Sequence, residues 1–386
     1  MTVSYSNPNN YDRKSQARVD WVDYAKGFCI VFVVMMHSTL GVEKHAFEKG
    51  LVAEGTVGWM NTIVTFAQPF RMPDFFLISG LFLGLVIGRS WLRYFDRKVV
   101  HFAYFYVLWL AIQFAFRSIG WISEGLGPSE ILGKFAVAMV QPYGTLWFIY
   151  MLPVMFLVTR VLSKIHWALV LTGAALLEIW PVHTGYLLID EFAARYVYFF
   201  VGYALAQPIF SLAAWARENT PKALGYLGIW AIFNGFFTFT PLPTYLSEFA
   251  QYNVNNGPAN LSHLPFFSLA LGAAGAIAVV CVCAVLSRFR MAGFLRYLGS
   301  HSIVVYLAFF LPMVISREIL FRFAPWLDLG TTALVVLITG VLGPVILYEF
   351  TRITGWFKFL FERPDWAWID KSGRAGAAKA SLQAAE

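Results

Sequence analysis

Apolar positions in this chain neither alternate nor mark a single helix face; they gather into long runs parted by short polar segments that carry Pro, Gly, Arg or Lys. Ten such runs, at 26–45, 72–88, 99–117, 145–162, 165–181, 192–210, 223–240, 263–287, 301–320 and 330–350, match or approach the ~20 helical residues that a hydrocarbon core requires. A backbone in lipid must satisfy its own hydrogen bonds, and runs of this length do so as helices. The pattern therefore predicts an all-α polytopic integral membrane protein with about ten transmembrane helices. Residues 1–20 read as a cytoplasmic N-terminal segment, 21–355 as the membrane domain, and 356–386 as a cytoplasmic, largely disordered tail.

Composition agrees: 59% of residues are apolar and 13% charged, and the mean hydropathy is +0.62, far from soluble norms. If the N-terminus is cytoplasmic, 21 of the 29 lysines and arginines fall on the cytoplasmic side, as the positive-inside rule requires of ten spans with both ends inside. The net charge of +7 thus reads as topology, and no nucleic-acid partner is expected. No cleavable signal peptide is evident in the polar first twenty residues, and the first span serves as its own insertion signal. Cys29, Cys281 and Cys283 all lie in spans as small apolar residues, which points to neither a disulfide framework nor a metal site.

Two outer segments depart from plain spans. Residues 56–71 are semi-polar, contain Gln68 and Pro69, and read as an interfacial or re-entrant helix. The loop from Pro241 to Ser262 is rich in Pro, Asn and Gly, lacks basic residues, and reads as a lid or connection.

The first run holds the chemistry. At about 100° per residue, Asp23, Lys26 and His37 share one helix face, with His37 about 16 Å above Lys26 and near mid-membrane. An ionisable side chain there is costly and marks a functional site by default, although an intramembrane histidine also serves as a hydrogen-bonding group between helices. Asp23 and Lys26 also have a simple reading as an i, i+3 ion pair.

Further segments accompany this stripe: Pro69-Phe-Arg-Met-Pro-Asp-Phe-Phe-Leu-Ile-Ser-Gly80, Asp96-Arg-Lys98, Leu146-Trp-Phe-Ile-Tyr150, Tyr198-Phe-Phe-Val-Gly-Tyr203 and Leu298-Gly-Ser-His-Ser-Ile-Val-Val-Tyr306. With Asp23-x-x-Lys-Gly27 and His37, and in this order, they resemble the acyltransferase-3 family of bacterial inner-membrane enzymes over most of residues 18–350. The resemblance implies transfer of an acyl group from cytoplasmic acyl-CoA to a hydroxyl of an envelope glycan or lipid-linked acceptor. It also implies that His37 is the catalytic residue, with Lys26 as the basic residue eleven positions earlier. Three positions depart from the family pattern. Lys26 stands where many members have Arg; the basic pair of the third span aligns with Lys98 and His101; and Phe309 replaces a histidine frequent three residues after the tyrosine of the ninth span.

The residues suit this chemistry. A neutral imidazole is matched to taking a hydroxyl proton near pH 7, which makes His37 the candidate general base; an acyl-histidine intermediate is the other reading. Arg93, Arg97 and Lys98, with His101, form a cluster at the cytoplasmic mouth suited to the phosphates of acyl-CoA, and equally to the positive-inside rule. On the outer side Arg71 suits an oxyanion or an anionic acceptor, or else a pair with Asp74. Tyr143 and Trp147 suit a sugar ring or an interfacial aromatic belt. A proton-coupled transporter of a lipid or small metabolite, with His37 as relay, is the alternative; a non-catalytic partner in glycan assembly is a third. No metal is expected, and no heptad seam or small-residue face indicates an oligomeric state.

Overall fold

The computed structural model describes residues 19–250 and 259–370. The calls of disorder for 371–386 and of a cytoplasmic segment for 1–18 fall outside these residues. Among the described residues the chain is all helix and turn, with one isolated bridge between Pro241 and Asn260.

α1 (Asp20–Glu48) opens with Asp20 and Asp23 in its first turn, where carboxylates complement the helix dipole. It then runs unbroken for 29 residues, about 43 Å. After it come α2 (Trp59–Ala67) and α3 (Arg71–Gly80), separated at Gln68-Pro69-Phe70, where Pro69 lacks the N–H that a continuous helix uses. α2 is the helix expected around 56–71. α3 departs from the 72–88 expectation, because its ten residues span only about 15 Å, half a hydrocarbon core.

α4 (Trp91–Phe95), a π-helical turn (Asp96–Val100) and α5 (His101–Ser123) form one run. α6 (Pro128–Val140), α7 (Trp147–Leu162) and the short α8 (Trp167–Ile179) follow. α9 (Leu187–Ala204) and α10 (Ala206–Glu218) make a pair bent by 77°, and α11 (Thr220–Phe239) precedes α12 (Phe267–Phe289). α13 (Gly293–Ser300), α14 (Ser302–Ala308) and α15 (Phe310–Phe323) precede α16 (Leu329–Thr354), with a bend of 53° between α14 and α15. Against ten expected stretches, five helices are long and apolar enough to cross a membrane, or seven if each bent pair is one span. The difference lies in α3 and α8, which are too short, and in α11, which is long enough but carries too many polar residues for its length.

Two pairs of glycines set how closely the central helices approach. A Cβ built on Gly27 would lie 1.9 Å from the Leu295 carbonyl oxygen, and one on Gly299 would lie 1.6 Å from that of Asp23. α1 and α13 therefore meet backbone to backbone. α3 and α9 do the same: a Cβ on Gly80 would lie 2.2 Å from the Phe199 oxygen, and one on Gly202 would lie 2.0 Å from that of Leu77. Lipid gives helices no hydrophobic reason to associate, so such close packing is a main source of adhesion.

The tail expected to be disordered from 356 is structured as far as Asp370, a correction to the sequence reading. Arg363 and Asp96 are both fully buried and paired at 2.5 Å. Asp96 also accepts the Ile369 and Asp370 N–H groups at 3.1 and 3.2 Å, while Arg363 donates to the Asp96 carbonyl at 2.8 Å. A buried carboxylate needs such partners to remain in place. Pattern reading failed here because Glu362-Arg-Pro-Asp365 looks solvated until its partner, 267 residues distant, is known. The ends of the described chain also meet on one side of the bundle, since Asp20 lies 3.5 Å from Arg296 and Lys98 lies close enough to Lys26 for their charges to interact.

Two stability predictions result. Gly202→Ala forces α3 from α9 and is expected to cost about 1–3 kcal/mol or more, lowering the thermal unfolding midpoint in detergent, whereas Gly228→Ala, inside α11 where a Cβ meets nothing within 4 Å, holds or slightly raises it, since alanine is the better helix former. Arg363→Ala strands the Asp96 carboxylate at a cost of about 3–5 kcal/mol, and replacing both partners by apolar residues recovers most of that loss in the same measurement.

Candidate active site

Two cavities lie along the same three elements. The larger, of about 320 Å³, is lined by Met36, His37 and Leu40 of α1, by Arg71 and Met72 of α3, and by Gly144 and Trp147 at the start of α7. The smaller, of about 210 Å³, is lined by Lys26 of α1, by Phe75, Ile78 and Ser79 of α3, and by Phe148, Ile149 and Leu152 of α7. Each element thus passes first one cavity and then the other. The eleven residues from Lys26 to His37 separate the two by about 16 Å along α1.

Between them stands an aromatic layer. Phe75 and Phe148 stack with ring centroids 4.3 Å apart; Phe148 meets Tyr306 at 5.5 Å; Tyr306 meets Phe309 at 6.2 Å; and Phe309 lies 5.4 Å from His37. Tyr306 is pinned within it: its hydroxyl donates to the Thr145 carbonyl at 2.5 Å and accepts the Phe148 N–H at 3.1 Å. Phe309, in place of the family histidine, offers His37 a ring face and no polar atom. Among the described residues no hydrogen bond engages either ring nitrogen of His37, which lines the larger cavity.

The wall opposite His37 is charged. Glu191 and Arg195 of α9 line it and pair at 3.2 Å as i, i+4 neighbours, and the charges acting on Arg71 are those of Arg195 and Glu191. Asp74, a candidate partner for Arg71, makes no ion pair with it; its charge acts on Cys29, Cys283 and Tyr198. At the rim, the Gln68 and His263 side chains meet at 2.8 Å, and the Asn260 N–H donates to His263 Nδ1 at 3.1 Å. Ser268 donates to Glu178 at 2.8 Å. The break between α2 and α3 brings Gln68 and Arg71 here, because a continuous helix would leave no backbone turn at the cavity edge.

The residues singled out from sequence divide. His37, Arg71 and Trp147 share the larger cavity, and Lys26 lines the smaller. Asp23 is buried beside the Gly299 contact. Tyr143 is held away from the larger cavity, with its hydroxyl accepting from Arg117 at 2.9 Å and its ring against Phe114. The basic cluster lies beside the structured tail. Arg93 lies 3.9 Å from Asp370, and both Arg97 and His101 lie over or beside Trp368 of the structured tail. Lys98 sits 4.4 Å over the Phe156 ring, beside Lys26. Glu191, Arg195, Gln68 and His263 went unrecognised. The Glu191-x-x-x-Arg195 spacing at the head of an apolar run was a legible signal, whereas Gln68 and His263 carry none until the loop folds back.

The chain belongs to the family described as the acyltransferase domain (acyltransferase-3), whose model matches residues 19–349. The inner membrane protein YcfT of Escherichia coli (strain K12) is 28% identical over 160 residues, which cover 38% of this chain and 44% of that protein. The match thus spans less than half the length of this curated relative. No solved structure matches the chain.

Proposed function

We propose that this protein is an inner-membrane O-acyltransferase that moves an acyl group from cytoplasmic acyl-CoA to a hydroxyl of an envelope glycan or lipid-linked acceptor, with His37 as general base. The observation that carries this reading is the stacking of two cavities along α1, α3 and α7, with His37 facing the polar one and bearing no hydrogen bond to hold it back. The apolar cavity beside Lys26 suits the acyl end of the donor. A cavity of about 210 Å³ is comparable to engineered apolar cavities of ~150 Å³ that take up benzene, which favours a short acyl chain. Lys98 and Lys26 are the cations placed to meet the donor's phosphates. Arg93, Arg97 and His101 join them if the Trp368 segment shifts.

In this mechanism the acceptor lies in the larger cavity with its hydroxyl on a ring nitrogen of His37. His37 removes the hydroxyl proton as the oxygen attacks the thioester carbonyl. The tetrahedral oxyanion collapses with cleavage of the C–S bond, and the CoA thiolate takes the proton from the imidazolium, leaving ester, free CoA and neutral His37. Withdrawal or rotation of Phe75 and Phe148 opens the way between donor and acceptor. The inner-membrane setting follows the name of the Escherichia coli relative.

Purified protein in detergent, supplied with acyl-CoAs from acetyl to long-chain and with an envelope glycan extract, is expected to release CoA thiol and form ester. His37→Ala is expected to lower that rate by at least about 100-fold while keeping the wild-type unfolding midpoint. Undiminished ester formation by a folded His37→Ala protein sinks the assignment of the base. Failure of the wild type to consume any acyl-CoA, combined with substrate movement driven by a proton gradient in vesicles, establishes the transporter instead.

A further inference from the structure

Arg71 is 5% exposed, and its Nε and Nη1 atoms have no hydrogen-bond partner, although it lines the larger cavity. It begins α3, where the helix dipole already favours negative charge and leaves a cation uncompensated. The acid that acts on it, Glu191, is already paired to Arg195. Glu178 accepts from Ser268 and Tyr198 and its charge also acts on Arg195, so the unanswered guanidinium is that of Arg71. Leaving a buried guanidinium without an anion costs several kcal/mol; among the described residues no side chain supplies that anion.

We propose that the molecule occupying the larger cavity carries one oxyanion, a carboxylate or a phosphate ester, held between Arg71 and Arg195 while its neutral hydroxyl faces His37. This deepens the acyltransferase reading and rests on it for the role of the bound molecule: the acceptor is an acidic glycan or an anionic lipid-linked sugar rather than a neutral one. Two forked guanidinium groups match either anion bidentately. The free Nε and Nη1 atoms of Arg71 are suited to a single negative group.

The test measures binding alone, without donor, so that its outcome is independent of whether His37 catalyses transfer. Thermal unfolding of the purified full-length protein in a non-ionic detergent is followed against glucuronate, sn-glycerol 1-phosphate, and the neutral glucose and glycerol, at constant ionic strength. A saturable upward shift with one or both anions and none with the neutral partners is expected; glucuronate alone identifies a sugar acid, and glycerol phosphate alone a phosphorylated headgroup. Arg71→Gln is expected to weaken that binding by at least about tenfold, the scale of one lost charged hydrogen bond. Glu191→Gln, which frees Arg195, is expected to strengthen it about threefold or more, a gain that misfolding does not produce. No shift with either anion, an equal shift with the neutral compounds, or a shift insensitive to both substitutions overturns the proposal.

Discussion

The placement of His37, Arg71, Glu191 and Arg195 depends on two backbone contacts that only glycine permits. Gly80 and Gly202 press α3 onto α9, and this contact sets Arg71, at the start of one helix, against Glu191 and Arg195 near the start of the other. Gly27 and Gly299 press α1 onto α13, which fixes α14 just beyond it and with it Tyr306 and Phe309 beside His37. A single methyl at any of these four positions would intrude to about 2 Å or less from a carbonyl oxygen. In lipid, where apolar side chains gain little by leaving one solvent for another, such contacts decide which helices are neighbours.

Within that frame, the membrane's intolerance of polar groups organises the interior. His37, Arg71, Glu191 and Arg195 are sequestered on one cavity and Lys26 on another, with rings stacked between. The shorter, broken elements serve the same end. α3 stops well short of a full crossing, and the turn at Gln68-Pro69-Phe70 that precedes it brings Gln68 and Arg71 to the cavity edge, where the protein interior and not lipid surrounds the irregular backbone.

Much of this was legible in outline. The relation of Lys26 to His37 could be read from helical geometry because α1 is continuous and 29 residues long. Four of the motif segments behind the family resemblance contain Gly27, Gly80, Gly202 and Gly299, so the positions that identified the chain are also those that pack it. Their pairing was not legible, since partners such as Gly27 and Gly299 lie 272 positions apart in the sequence and no periodicity relates them. The neighbours of the basic cluster were illegible for a related reason. Arg93, Arg97 and His101 lie beside Trp368 and Asp370, in a segment whose composition suggested solvent.

By itself the sequence determined the solvent of this protein and its helical class, because hydrophobic run length is a local property. Tertiary structure alone decided which charges share a cavity with His37, that Phe309 lies against it without a polar atom to offer, and that two cavities follow the same helices. Those outcomes depend on helix neighbours and on where helices break. Both are settled by contacts between residues far apart in the chain, which no pattern confined to one segment encodes.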